Sequence, residues 1–165
     1  MFDAPRIFFV SRAEGKSIPF LEDSQGAGDF SPNGQWLLYG ERFSGRPEVF
    51  AQAIPKEAGG SPGAVGARFQ ISSEGGGWPH WNRDGKEIFY VREDSRMVSV
   101  PVELGERFLR PGIPTVLFET RLSGIGAMNY DVTPDGQRFL IPQPVDSDGD
   151  RLITAIVNWP KLLRE

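Results

Sequence analysis

Gly34, Gly85 and Gly136 stand 51 residues apart, and the segments around them align. The first reads Asp29-Phe30-Ser31-Pro32-Asn33-Gly34-Gln35-Trp36-Leu37-Leu38-Tyr39. The second reads His80-Trp81-Asn82-Arg83-Asp84-Gly85-Lys86-Glu87-Ile88-Phe89-Tyr90, the third Asp131-Val132-Thr133-Pro134-Asp135-Gly136-Gln137-Arg138-Phe139-Leu140-Ile141. Equal spacing means that one supersecondary unit recurs, and such a unit buries its apolar face only by stacking on its neighbours. In each copy a short segment with one apolar residue (Phe30, Trp81, Val132) runs into Asn-Gly or Asp-Gly. Those dipeptides accept the positive φ values of a tight hairpin, and an aromatic and aliphatic strand follows.

The rest of each period supplies further strands. Residues 48–54 and 96–100 read as third strands, each closed by a proline, Pro55 or Pro101, that cannot donate to a ladder. Residues 152–158 match them in the last copy, and residues 68–72 and 115–119 read as fourth strands. Four strands per repeat of this size predict a β-propeller blade. The expected fold is therefore all-β, a partial β-propeller of about three four-stranded antiparallel blades and about thirteen strands. Residues 1–26 carry the end strands of a preceding blade (6–11 and 17–21). Blades follow at 27–73 and 74–120, and residues 121–165 form the final blade with a C-terminal tail.

Composition agrees with this reading and narrows the partners. Twenty Gly and 14 Pro oppose a helix bundle, while 12 Phe, 4 Trp and 3 Tyr furnish a core. The formal charge is −4 with no basic block, which argues against nucleic acid. No apolar run approaches the roughly 20 residues of a membrane span, and the first residues lack the basic and apolar segments of a signal peptide. With no Cys there are no disulfides and no thiolate chemistry. Three blades leave an open half-ring whose inter-blade faces need a cover. Three covers are expected: the earlier blades of a longer propeller, which the mid-blade start favours; a second copy completing a six-bladed homodimer; or an unrelated protein.

The turns at 31–34, 83–85 and 133–136, each followed by an aromatic strand, resemble the repeats of TolB-like β-propellers. Gly45-Arg46-Pro47-Glu48-Val49-Phe50, the segment Phe69-Gln70-Ile71-Ser72-Ser73-Glu74-Gly75-Gly76-Gly77 and the ending at 130–140 with Val157-Asn158-Trp159 resemble the C-terminal propeller of bacterial eukaryotic-like Ser/Thr kinases. The pattern departs at His80-Trp81-Asn82-Arg83 and in the Gly-rich stretch 55–66. The resemblance implies a binding or sensing module with a protein partner, and a periplasmic or extracytoplasmic place if a larger parent is exported. No phosphate-binding Gly loop, His-Arg-Asp or Asp-Phe-Gly occurs, so kinase chemistry is not expected in these residues.

Other catalytic patterns fail on chemistry. Gly59-Gly60-Ser61-Pro62-Gly63 has the spacing of a nucleophile elbow, but the residue after the serine must supply an oxyanion-hole N–H and Pro62 has none. His80 is the sole histidine, and hydrolase order would leave only Glu74 as the acid. Asp146-Ser147-Asp148-Gly149-Asp150 alternates carboxylates but lacks the Gly and Glu positions of a calcium loop. Pro111-Gly112-Ile113-Pro114 fits a loop entering a strand, and Gly124-Ile125-Gly126 lacks the third glycine of a dinucleotide fingerprint. No cofactor or metal is expected.

One set of residues converges. His80 shares its repeat position with Asp29 and Asp131, five residues before the turn glycine, on the strand expected to line the central channel. With Trp78 as an aromatic neighbour, Asp29, His80 and Asp131 form the candidate ligand-binding set. Short polar side chains also cap backbone groups at strand entries, and that structural role competes with the ligand role. The expected function is thus a non-enzymatic interaction or sensor module. The alternatives are the propeller of a prolyl-oligopeptidase-type peptidase, or a small-ligand or metal binder at the channel.

Overall fold

The computed structural model describes residues 7–21, 28–54, 66–105, 108–120 and 130–142, with the backbone of 153–157. All regular structure among them is β-strand, and no helix is long and apolar enough to cross a membrane. Strands β1 (Ile7–Val10) and β2 (Ser17–Leu21) pair as a hairpin. Strands β3 (Asp29–Phe30), β4 (Trp36–Phe43), β5 (Arg46–Ala53) and β6 (Arg68–Gln70) form the first sheet, antiparallel in chain order. The second sheet holds β7 (Gly77–Trp81), β8 (Glu87–Val91) and β9 (Arg96–Leu104), with β10 (Leu109–Pro111) and β11 (Thr115–Glu119) both paired to β9. The third sheet holds β12 (Asp131–Val132), β13 (Arg138–Pro142) and β14 (Ile153–Val157). The molecule is a partial β-propeller, and β3, β7 and β12 are the inner edge strands of its blades.

The three glycine turns share one chemistry. Gly34, Gly85 and Gly136 have φ of 69°, 73° and 68°, and each N–H donates to the carbonyl three residues back, of Ser31, Asn82 or Thr133. The expectation that Asn or Asp would share the positive φ is corrected: Asn33, Asp84 and Asp135 use their side chains instead. Each carboxylate or amide oxygen accepts the N–H two residues on, from Gln35 (3.1 Å), Lys86 (2.9 Å) and Gln137 (3.1 Å). Only the residue without a Cβ takes the left-handed conformation, and the short polar side chain satisfies the amide that the turn orphans.

Packing between sheets builds two cores. Trp36, Leu38, Val49 and Ala51 of the first sheet meet Trp81, Ile88, Tyr90, Val98 and Val100 of the second. Phe89, Val91, Met97 and Leu117 on the other face of the second sheet meet Phe139 and Ile141 of the third, with Tyr130 beside them. Phe139 sits edge-on to Phe89 at 5.0 Å and to Phe118 at 5.3 Å. The step from the first sheet to the second is clipped by Glu48, which is buried and fully engaged. Its carboxylate accepts Arg46 Nε (2.8 Å), the Gly75 N–H (3.1 Å) and the Ser72 hydroxyl. A buried carboxylate is tolerated only with such a donor set.

Three further expectations are corrected. Strand β9 does not stop at Pro101 but runs to Leu104, because the N–H that Pro101 lacks would fall in the gap between two partners. β11 ends at Thr115 opposite Ser99, β10 begins at Pro111 opposite Val102, and the Pro101 carbonyl accepts the Gly112 N–H at 2.7 Å. The second sheet thereby gains β10, a fourteenth described strand, and the blades are not uniformly four-stranded: the last has three among the described residues. Phe30 was expected to pack between sheets like Trp81, yet it is half exposed, because only Phe9 of the two-stranded hairpin stacks on it, at 5.9 Å. Pro55, the elbow at 59–63, the glycines at 124–126, the acidic run at 146–150 and the tail lie outside the described residues.

Candidate functional site

The turn geometry fixes where the inner strands begin, and so brings equivalent residues of three blades to one mouth. An open cavity of 740 Å³ there is lined by three repeat positions. Five residues before the glycine come Asp29, His80 and Asp131; four before it, Phe30, Trp81 and Val132; two before it, Pro32, Arg83 and Pro134. The same alignment that singled out the first triplet also predicts the other two, so Arg83 was discoverable from sequence by carrying the register two positions further.

Within the site the side chains are already partly committed. Asp29 Oδ2 accepts the backbone N–H of Trp81, on the next blade, at 2.8 Å. His80 Nδ1 lies 3.6 Å from the same oxygen, and its ring meets Tyr130 edge-on at 4.7 Å. Asp131 Oδ1 accepts its own neighbour's amide, that of Val132, at 2.8 Å. The capping role weighed for these residues is therefore present in two of them. Beneath the mouth, the Tyr130 hydroxyl is buried without a partner among the described residues. Burial, and to a lesser degree the Asp29 charge, pushes its pKa well above 10.

Trp78 does not join this group. It has a φ of 52° in a bulge of β7 between Gly77 and His80, and it is exposed away from the cavity. The cause is Pro79, which has no N–H for the ladder and forces the two residues 78 and 79 out of regular pairing. Glu74 is likewise elsewhere, with Arg92 Nη1 at 2.5 Å from its carboxylate, so it does not orient His80. Among the described residues, no three His, Asp or Glu side chains gather closely enough to hold a metal ion. The mouth thus offers two carboxylates, an imidazole and a guanidinium around an open basin. Such an arrangement can bind a polar group by hydrogen bonds and charge.

No family model matches the chain, and no curated protein matches it. Its fold does have solved counterparts. It superposes on TolB from Acinetobacter baumannii with a TM-score of 0.60 at 14% identity, covering 94% of this chain and 36% of that one. A "putative 6-phosphogluconolactonase" from Bacteroides uniformis gives 0.54 at 17% identity, with coverage of 93% and 49%. A protein described in the same words, from Bacteroides fragilis, gives 0.51 at 13% identity, with coverage of 92% and 50%. The likeness is one of fold: the chain has the architecture of a TolB-like propeller and spans a third to a half of these proteins.

Proposed function

We propose that the chain is a non-enzymatic interaction module that meets a protein partner at the inner-strand mouth. The observation carrying this reading is the hydrogen bond from the Trp81 amide to Asp29. It holds in a structural bond the carboxylate nearest the sole histidine, the one group that could have oriented His80 as a base. What remains free around the basin, Arg83 and the outward oxygens of Asp29 and Asp131, suits recognition of polar groups. The kinase-propeller resemblance supports the same role, a sensing region attached to a larger protein.

A second reading rests on the two Bacteroides counterparts and on His80 and Arg83 sharing one cavity. Imidazole could activate water and guanidinium could hold an anionic substituent, as lactone hydrolysis would need. The experiment is an assay of the purified chain and of His80→Ala with 6-phosphogluconolactone. The module reading predicts loss of lactone at the buffer rate for both proteins. Turnover that disappears in His80→Ala would overturn it. A photo-crosslinking residue placed at position 83 supplies the positive arm. It should capture one specific partner that the same residue at position 113, on the exposed β10–β11 connection, does not capture.

A further inference from the structure

We propose that the two open ends of this half-ring are complementary and that a second copy of the chain closes them, head to tail, into a two-chain ring around the channel. The proposal stands on the fold and is independent of what the basin binds.

Each sheet shows one face forward, to the next sheet, and one face back. Four residues after the turn glycine the side chain points forward. Leu38 at that position is 0% exposed in the core between the first and second sheets, and Phe89 is 1% exposed in the core between the second and third. The third residue of the series is Leu140, and it is 48% exposed. Its neighbours Phe139 and Ile141 point back into the second core, so Leu140 is a forward-facing residue with no sheet in front of it. The inner strand repeats the asymmetry. Asp29 reaches forward to the Trp81 amide, whereas Asp131, at the same register, accepts only the amide of Val132.

The other end is open backward. Strand β1 reads Ile-Phe-Phe-Val, apolar at every position, which is the composition of a strand covered on both faces. Phe9 packs forward on Phe20 (4.5 Å) and Phe30, while the alternate residues Phe8 and Val10 are 47% and 63% exposed. A forward face and a backward face of one repeat are the surfaces that already meet inside the molecule. Joined between two chains about a two-fold axis along the channel, they form two equal head-to-tail contacts and leave no open end. Length agrees: the chain matches 49% and 50% of the two Bacteroides proteins, so two copies supply the length of one.

The test is the solution mass of the full chain by light scattering after gel filtration, at micromolar concentration. The expected mass is twice 18.3 kDa. Val10→Lys and Leu140→Asp should each reduce it to one chain while the far-ultraviolet circular dichroism stays unchanged. Mixing the two variants should restore the two-chain mass, because the mixed ring has one unaltered contact and one that pairs lysine with aspartate. If either charged variant loses its β signal, Val10→Ser or Leu140→Ser replaces it, with the same expected fall in mass. A single-chain mass for the unaltered protein overturns the proposal. So does a dimer indifferent to Leu140, which would be head-to-head, and so does polydisperse growth, which would be a contact that does not close.

Discussion

The middle of the molecule and its two ends are built from the same repeat, yet the repeat behaves differently in each. In β4 the run Trp36-Leu37-Leu38-Tyr39 is buried at every position, and in β8 so is Ile88-Phe89-Tyr90-Val91. At the ends the pattern becomes alternation, with every second residue exposed in β1 and β13. A strand between two sheets has both faces covered; a strand at the end of the stack has one. The side chains do not decide this, since Phe139-Leu140-Ile141 is as apolar as its counterparts. The number of neighbouring sheets decides it.

The sharpest way to break the comparison is to truncate two adjacent residues of β13. Phe139→Ala should cost about 3–5 kcal/mol in denaturant unfolding, because it empties the second core, whereas Leu140→Ala should cost the single chain less than about 0.5 kcal/mol. Equal losses would mean that β13 is not a one-faced strand.

Alkaline pH probes the interior as a whole, because all three tyrosines are held there. Burial raises Tyr39 and Tyr90 to about 12 and Tyr130 further in the same direction. The unfolded phenols lose their protons near pH 10 while the folded ones keep them, so stability is intact below pH 10 and drains away as pH rises toward 12. Tyrosinate absorbance should therefore stay absent at pH 10 and appear together with unfolding. Ordinary titration at pH 10 in the folded protein would contradict the buried placement.

Smaller effects belong to the turns and the blade-to-blade cap. Gly85→Ala should cost about 1–2 kcal/mol from its φ of 73° alone, since the space around the added Cβ is ordinary. Asp29→Ala should cost about 1 kcal/mol by leaving the partly buried Trp81 amide without its acceptor, and Asp131→Ala much less, because its bond is local and exposed. A larger loss at Asp131 than at Asp29 in the single chain would reverse the assignment of middle and end.

Most of the architecture was legible in the residues, and what was not has identifiable causes. Spacing revealed the blades, the turn glycines and the inner-strand position of Asp29, His80 and Asp131, because periodicity reports local units that recur. It did not reveal that Phe30 and Leu140 lie open while Trp81 and Phe89 are buried, because cover depends on which sheet comes next. Strand β10 was missed because Pro101 reads as a stop, and only the gap between two partner strands makes its missing donor harmless. Trp78 was misplaced because β alternation was carried through Pro79. At the mouth, the register showed which residues meet; the commitment of the Asp29 carboxylate to a backbone amide 52 residues away is a matter of tertiary geometry.

The most direct test of the stacked-blade account is a double-mutant cycle between Phe89 and Phe139. These rings lie edge-on at 5.0 Å and come from different blades. The account predicts that Phe89→Ala, Phe139→Ala and the double variant yield a coupling of about 0.5–1.5 kcal/mol, the value of a buried aromatic pair. Strictly additive losses would mean that the second and third sheets do not pack against each other, and the propeller stacking would be wrong.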